Sequence, residues 1–304
     1  MKWQDLKSRM KAAWGRCSKA ANSLADRHPL LGTMRSVVSE FRKKDLSHRS
    51  IYFAFHAFIA IFPLVLVLTG IMGFVFSASP AVRSNINETI YEMFPDFDVA
   101  FEGMLDIMES WRVFALIIGI ILFLWTGIKA AEVLEDGFCF IFGTEKRPYS
   151  KRKGTALSVL FIFGTLTVFE AIMNFATPRL MPWVKRQVGG GFSVGVFFLE
   201  LAVAFLFSFL MFLFVYRLIP TKKLPTAAVV KTAVLTSVIL IFVEYVFGFY
   251  FNLMYDAKLL YGTIGVMLGI LLWLYAIAVV TFTGALVARR LSDYNGVPET
   301  GNDA

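Results

Sequence analysis

Six apolar stretches, each longer than the roughly 20 residues a helix needs to cross a hydrocarbon layer, constrain this chain more than any other feature. They run from Ile51 to Phe76, Trp111 to Ala131, Ala156 to Thr177, Phe192 to Leu218, Ala227 to Phe251 and Ile264 to Ala288. Spanning strands would be about 9 to 11 residues long with alternating polarity, whereas Leu201 to Val215 is apolar on every face. Helices satisfy their own backbone hydrogen bonds in lipid, so the expected fold is an all-α integral membrane protein with six transmembrane helices. Composition agrees: 57% of the residues are hydrophobic and 32 are phenylalanine, with a mean hydropathy of +0.66, outside the range of soluble domains.

Positive charge sets the expected orientation. With the N-terminus inside, the inner segments hold 22 Lys/Arg, twelve of them before Ile51, and the outer segments hold five. That bias predicts cytoplasmic N- and C-termini. The organisation read from it is a basic cytoplasmic or interfacial helical segment over 1–49, a six-helix membrane domain over 50–290 with an outer helical loop at 78–110, and a short cytoplasmic tail over 291–304. The net charge of +8 does not call for nucleic acid, because the excess lies where anionic inner-leaflet lipid would meet it. Membrane lipids are therefore the expected partners. Cys17 and Cys139 both fall on the cytoplasmic side, where thiols stay reduced.

Trp3, Leu6, Met10, Ala13, Cys17, Ala20 and Leu24 recur at spacings of three and four among lysines and arginines, the pattern of a basic amphipathic helix lying at a membrane surface. His28-Pro29 should end it, and Leu30 to Phe41 can form a second amphipathic piece. In the outer loop, apolar stripes at 86–94 and 101–108 flank Pro95 and predict two short helices. Pro178, Pro182, Trp183 and Gly189 to Gly191 read as an interfacial turn with a flexible joint.

Ionisable groups inside the spans are functional candidates, because an ionised carboxylate facing lipid is heavily penalised. Glu170, Glu200 and Glu244 sit seven or eight positions from the outer ends of helices three, four and five, a shared depth of roughly 10 to 12 Å. A common polar cavity is the functional expectation. A second polar set lies toward the cytoplasm: Lys129, Glu132, Glu135 and Asp136 close helix two, with Arg217 at the end of helix four and Lys231 early in helix five. Lys129 and Glu132 are spaced to pair across one turn. Pro63 should kink helix one, and Gly265 and Gly269 form a G-x-x-x-G pair suited to close helix packing, within the chain or in a homo-oligomer. His56 reads as a hydrogen-bonded packing residue.

Several stretches together resemble the YihY/BrkB family of bacterial inner-membrane proteins, once labelled ribonuclease BN. They are Ala54-Phe55-His56-Ala57-Phe58-Ile59-Ala60-Ile61-Phe62-Pro63-Leu64, Leu134-Glu135-Asp136 with Arg147-Pro148, Tyr216-Arg217-Leu218-Ile219-Pro220, Tyr261-Gly262-Thr263, Leu272-Trp273-Leu274-Tyr275 and Gly284-Ala285. His56 and Cys139 depart from the family pattern, which has an aromatic residue and an asparagine there.

The resemblance implies a multi-pass protein of the bacterial inner membrane, with transport of a lipid or other solute as the expected activity. The ribonuclease label finds no support in the residues. His28, His48 and His56 do not form a metal-ligating cluster, and no P-loop, H-E-x-x-H or G-x-S-x-G occurs. No catalytic residues, metal or cofactor are expected. Two readings stand: a transporter or flippase-like carrier with a polar cavity among the helices, and a non-transporting scaffold of an envelope complex.

Overall fold

The structure, a computed structural model, describes residues 29–79, 84, 98–188, 193–256 and 258–294. Among them the chain forms eight α-helices and no strand. These are α1 (Pro29–Lys43), α2 (Leu46–Ala78), α3 (Asp98–Ser110), α4 (Arg112–Phe142), α5 (Tyr149–Val188), α6 (Ser193–Leu218), α7 (Thr226–Asp256) and α8 (Lys258–Tyr294). Six of them, α2 and α4 to α8, are long and apolar enough to span a bilayer. Their surfaces carry exposed Phe, Leu, Ile and Val such as Phe55, Phe62, Phe161, Phe242 and Phe249. An exposed apolar area of that extent belongs in lipid.

The six spans pack as a closed ring, α2 on α4, α4 on α5, α5 on α6, α6 on α7, α7 on α8 and α8 back on α2. Helix α8 also touches α4 and α6, so it fills one side of the ring. The α2/α4 contact is the most extensive, and its cause is a set of glycines. A Cβ at Gly70 would stand 2.7 Å from the Leu116 amide nitrogen, one at Gly119 would stand 2.8 Å from that of Val67, and one at Gly73 would stand 2.8 Å from the Arg112 Cβ of α4 while striking the Met108 carbonyl of α3. Backbone therefore lies on backbone, the geometry by which membrane helices associate without a hydrophobic drive between them. Of the G-x-x-x-G pair in α8, Gly265 and Gly269 are both buried. A Cβ at Gly269 would meet the rings of Tyr250 and Phe251 in α7, so this glycine serves a seam within the chain.

Several boundaries differ from the sequence expectation. Helix α4 does not close near Ala131 but continues to Phe142, so the charged residues expected at its end lie inside it. It stops at Gly143, whose φ of 66° is left-handed and suits glycine; the amides of Gly143 and Thr144 both return to the Cys139 carbonyl. Helix α5 runs through Pro178 and Pro182 to Val188, where a turn was expected; a helix tolerates internal prolines where neighbouring groups or a local adjustment re-satisfy the freed carbonyls. At 40 residues it extends roughly 60 Å, about twice the hydrocarbon thickness. Pro63 lies buried inside the unbroken α2, where it leaves the Ile59 carbonyl without its helical donor. The second amphipathic piece is present as α1, with Pro29 at its first position. Of the two outer-loop helices, that at 101–108 lies within α3. The first, the amphipathic helix over 3–24 and the glycine run at 189–191 lie outside the described residues.

Candidate functional site

The polar residues of α4 face the short loop to α5 and the first turns of that helix. Glu135, 3% exposed, lies 3.2 Å from Arg147 and 3.8 Å from Arg152. Asp136 pairs with Arg152 at 2.8 Å and Lys146 at 3.0 Å. Glu132 sits between Lys153 at 2.8 Å and Lys129 at 3.3 Å, the latter pair being the one-turn contact anticipated from spacing. Charges taken out of water in this way are tolerated only when paired, and each carboxylate here has at least two cations near it.

Arg147 is the hinge of the arrangement. Besides Glu135, its guanidinium donates to the carbonyls of Ile219 at 2.7 Å, Pro220 at 2.9 Å and Leu218 at 3.0 Å. These are the last carbonyl of α6 and the two that follow it, and a planar five-donor fork can reach all three together with a carboxylate. Thus three separate sequence motifs, Leu134-Glu135-Asp136, Arg147-Pro148 and Tyr216 to Pro220, meet at one place. Tyr216 is buried and donates to the Thr281 carbonyl at 3.1 Å, in space that exists because residue 284 is glycine: a Cβ there would collide with the Tyr216 hydroxyl and with Thr236. Arg217, by contrast, is exposed and reaches the Leu224 carbonyl at 3.4 Å. Cys139 is buried beside the Thr221 hydroxyl at 3.6 Å and the Glu145 carbonyl at 3.7 Å.

A second ion network ties the two ends of the described chain. Glu40 of α1 meets Arg290 at 3.0 Å, Arg289 at 3.4 Å and Lys44 at 3.7 Å. Arg289 and Lys44 also donate to the Ile141 carbonyl, at 2.9 and 3.0 Å, placing two cations at the negative end of the α4 dipole. Burial, and after it the neighbouring Arg289, holds the Lys44 ammonium below the ordinary lysine range, while Glu40 acts in the opposite sense. Arg49 lies over the Phe140 ring at 4.4 Å. Spacing along the chain gave no sign of these long-range partners, although Glu40 is the sole acidic residue in α1.

Inside the ring lies a cavity of about 220 Å³. Five helices line it: Phe53, Ala57, Ala60, Ile61 and Leu64 from α2, Phe123, Gly127, Ala130, Ala131 and Leu134 from α4, then Val159, Leu160 and Phe163, Met211, Phe212 and Val215, and Ile277 with Thr281. Only Thr281 among them carries a hydroxyl, and it is donated to the Ile277 carbonyl at 2.8 Å. This cavity is therefore apolar, and none of the three glutamates is among the residues that line it. Glu244 is exposed on α7; Glu170 and Glu200 lie in α5 and α6, with side chains outside the described set. Gly262 lies in α8. His56 donates from Nδ1 to the Tyr52 carbonyl one turn back at 2.9 Å, and packs edge-on against Phe55. No group of three metal-ligating side chains occurs among the described residues.

The model of a family described as Virulence factor BrkB matches residues 37–303, from the middle of α1 to beyond α8. No curated protein and no solved structure matches the chain. The matched span takes in all six apolar helices and each of the motif segments that the ion network and the ring bring together. This chain belongs to the Virulence factor BrkB family, the YihY/BrkB family that its motifs resemble.

Proposed function

We propose that the protein is a carrier for a lipid or a similarly amphipathic solute in the bacterial inner membrane, with both termini in the cytoplasm. The observation that supports this reading is the apolar cavity at the centre of the ring. At about 220 Å³ it exceeds the ~150 Å³ apolar cavity that takes up benzene in a protein interior. Its walls offer an acyl chain the same environment as the bilayer and offer an inorganic ion nothing. The headgroup then travels at the polar ends, where Lys129, Arg217 and the lysines of the α6–α7 connection stand at one side and Glu170, Glu200 and Glu244 at the other. The outer carboxylates serve a headgroup amine or a cation.

Reconstitution into liposomes with a headgroup-labelled phospholipid tests the proposal. Wild type should move label between leaflets, and Ala130→Phe, which fills the cavity, should reduce the rate at least tenfold with membrane abundance retained. Glu200→Gln and Glu244→Gln should lose flux as well. A filled cavity that leaves the rate at the wild-type value would remove the carrier reading.

A further inference from the structure

A second apolar depression, of about 660 Å³, runs along the lipid-facing seam between α4 and α5. Phe123 and Leu124 of α4 and Leu157, Leu160, Phe161, Gly164, Thr165, Val168 and Phe169 of α5 form it. The hydroxyl of Thr165 is spent on the Phe161 carbonyl at 2.8 Å, so the groove presents no free polar group along its length. A Cβ at Gly164 would meet nothing within 4 Å, which leaves the groove floor open.

The groove ends in charge. Lys153 lies one helical turn before Leu157, and Lys129 lies five residues beyond Leu124 toward the same end. Both reach Glu132, at 2.8 and 3.3 Å. Two cations on one carboxylate leave this mouth with a net positive charge. Lys129 is the looser of the two, with a side chain 47% exposed, and can turn to a new anion while Lys153, at 2.8 Å, still neutralises Glu132.

We infer that the α4/α5 groove binds an anionic phospholipid, its headgroup between Lys129 and Lys153 and one acyl chain along Leu157, Phe161 and Val168. Phe123 and Leu160 line both this groove and the central cavity, so they form the partition between the two. A Cβ at Gly127 would stand 2.8 Å from Leu160 Cδ2; the missing side chain is what lets Leu160 occupy the seam. Rotation of Leu160 about its side-chain torsions, a step between staggered wells, opens the way from groove to cavity. This inference deepens the carrier reading by naming the substrate's charge and its entry, but the binding itself is separately measurable.

The test uses the purified full chain in detergent, titrated with dioleoyl phosphatidylglycerol or dioleoyl phosphatidylcholine and read by native mass spectrometry. Wild type should prefer the anionic lipid about fivefold, the order expected for one net charge near a surface. Lys129→Gln combined with Lys153→Gln should bring that preference to unity, whereas Glu132→Gln should raise it. The opposite signs matter, because a merely structural ion pair would weaken with either change. A diazirine on the acyl chain should label the peptide carrying residues 157–169. Equal binding of the two lipids by wild type, an unchanged preference in the double variant, labelling confined elsewhere, or inorganic phosphate displacing phosphatidylglycerol at equal concentration would each overturn the site. Charge-selective binding without flux would remove the carrier reading and leave the groove; flux with charge-blind binding would do the reverse.

Discussion

Replacing Arg147 by alanine is expected to be the most damaging single change at the basic end of the bundle. The guanidinium satisfies Glu135, which is 3% exposed, and three carbonyls at the end of α6. Its removal leaves Arg152 as the remaining cation for that carboxylate, at 3.8 Å, beyond hydrogen-bond reach. Breaking a buried pair from one side costs about 3–5 kcal/mol, because the surviving charge stays buried. The freed carbonyls add to that loss, because Ile219 and Pro220 are themselves buried. Reversible unfolding in mixed micelles by sodium dodecyl sulfate would measure the loss. Arg147→Lys should recover part of it, since one ammonium cannot serve three carbonyls and a carboxylate in one plane. The double variant Arg147→Ala with Glu135→Gln should lose less than the sum of the two single changes, as the uncompensated charge is gone. A loss for Arg147→Ala below about 0.5 kcal/mol, or strict additivity in the double variant, would refute the assignment of the energy to the buried carboxylate.

Gly284→Ala should destabilise the same bundle by about 1–3 kcal/mol, because the Tyr216 hydroxyl has no space to retreat into; Gly154→Ala, which meets nothing within 4 Å, should be neutral or stabilising by up to about 1 kcal/mol. The same unfolding titration distinguishes the two. Glu40→Gln should loosen α1 from the end of α8, at about 1 kcal/mol for a network of this partial exposure, and limited proteolysis should then cut faster near Asp45, whose left-handed backbone marks the joint between α1 and α2.

The six spans were legible because hydropathy reads burial in lipid directly, and lipid asks only for length and apolar composition. Their ends were not. Lys129, Glu132, Glu135 and Asp136 lower the local hydropathy of α4, but each is paired with or near an opposite charge, so the helix carries them for a further eleven residues beyond Ala131. Pairing is a three-dimensional property. Arg147 and the carbonyls it caps are separated by more than seventy positions, and nothing in a one-dimensional pattern joins them. The motif segments themselves were visible; that they converge was not. Depth along a helix was computable for the three glutamates, whereas the direction each faces around its helix was not, and Glu244 proves to be exposed on α7. The G-x-x-x-G spacing singled out α8, yet the closest backbone approach uses Gly70, Gly73 and Gly119, where the spacing within α2 is three and the third member comes from another helix.

Under the proposed carrier role the central cavity sets stability against activity, and the conflict can be measured. At the 24 cal/mol per Å³ found for enclosed cavities in a soluble core, a space of about 220 Å³ would cost at most roughly 5 kcal/mol, and it costs less here because it is not fully enclosed. Two features of this fold offset such a cost: the ion clamp at one end holds the ring closed regardless of what fills it, and an acyl chain from the bilayer can occupy the space. In detergent-purified protein freed of lipid, only the first remains. Ala130→Phe, projecting into the cavity from α4 where residue 130 is 8% exposed, should then stabilise the delipidated protein by about 1–2 kcal/mol while it blocks flux in liposomes. Returning phospholipid should stabilise wild type more than the variant, because only wild type has the space to accept a chain. If Ala130→Phe instead destabilises the protein, the ring has no room at that position and the cavity is not available to any ligand.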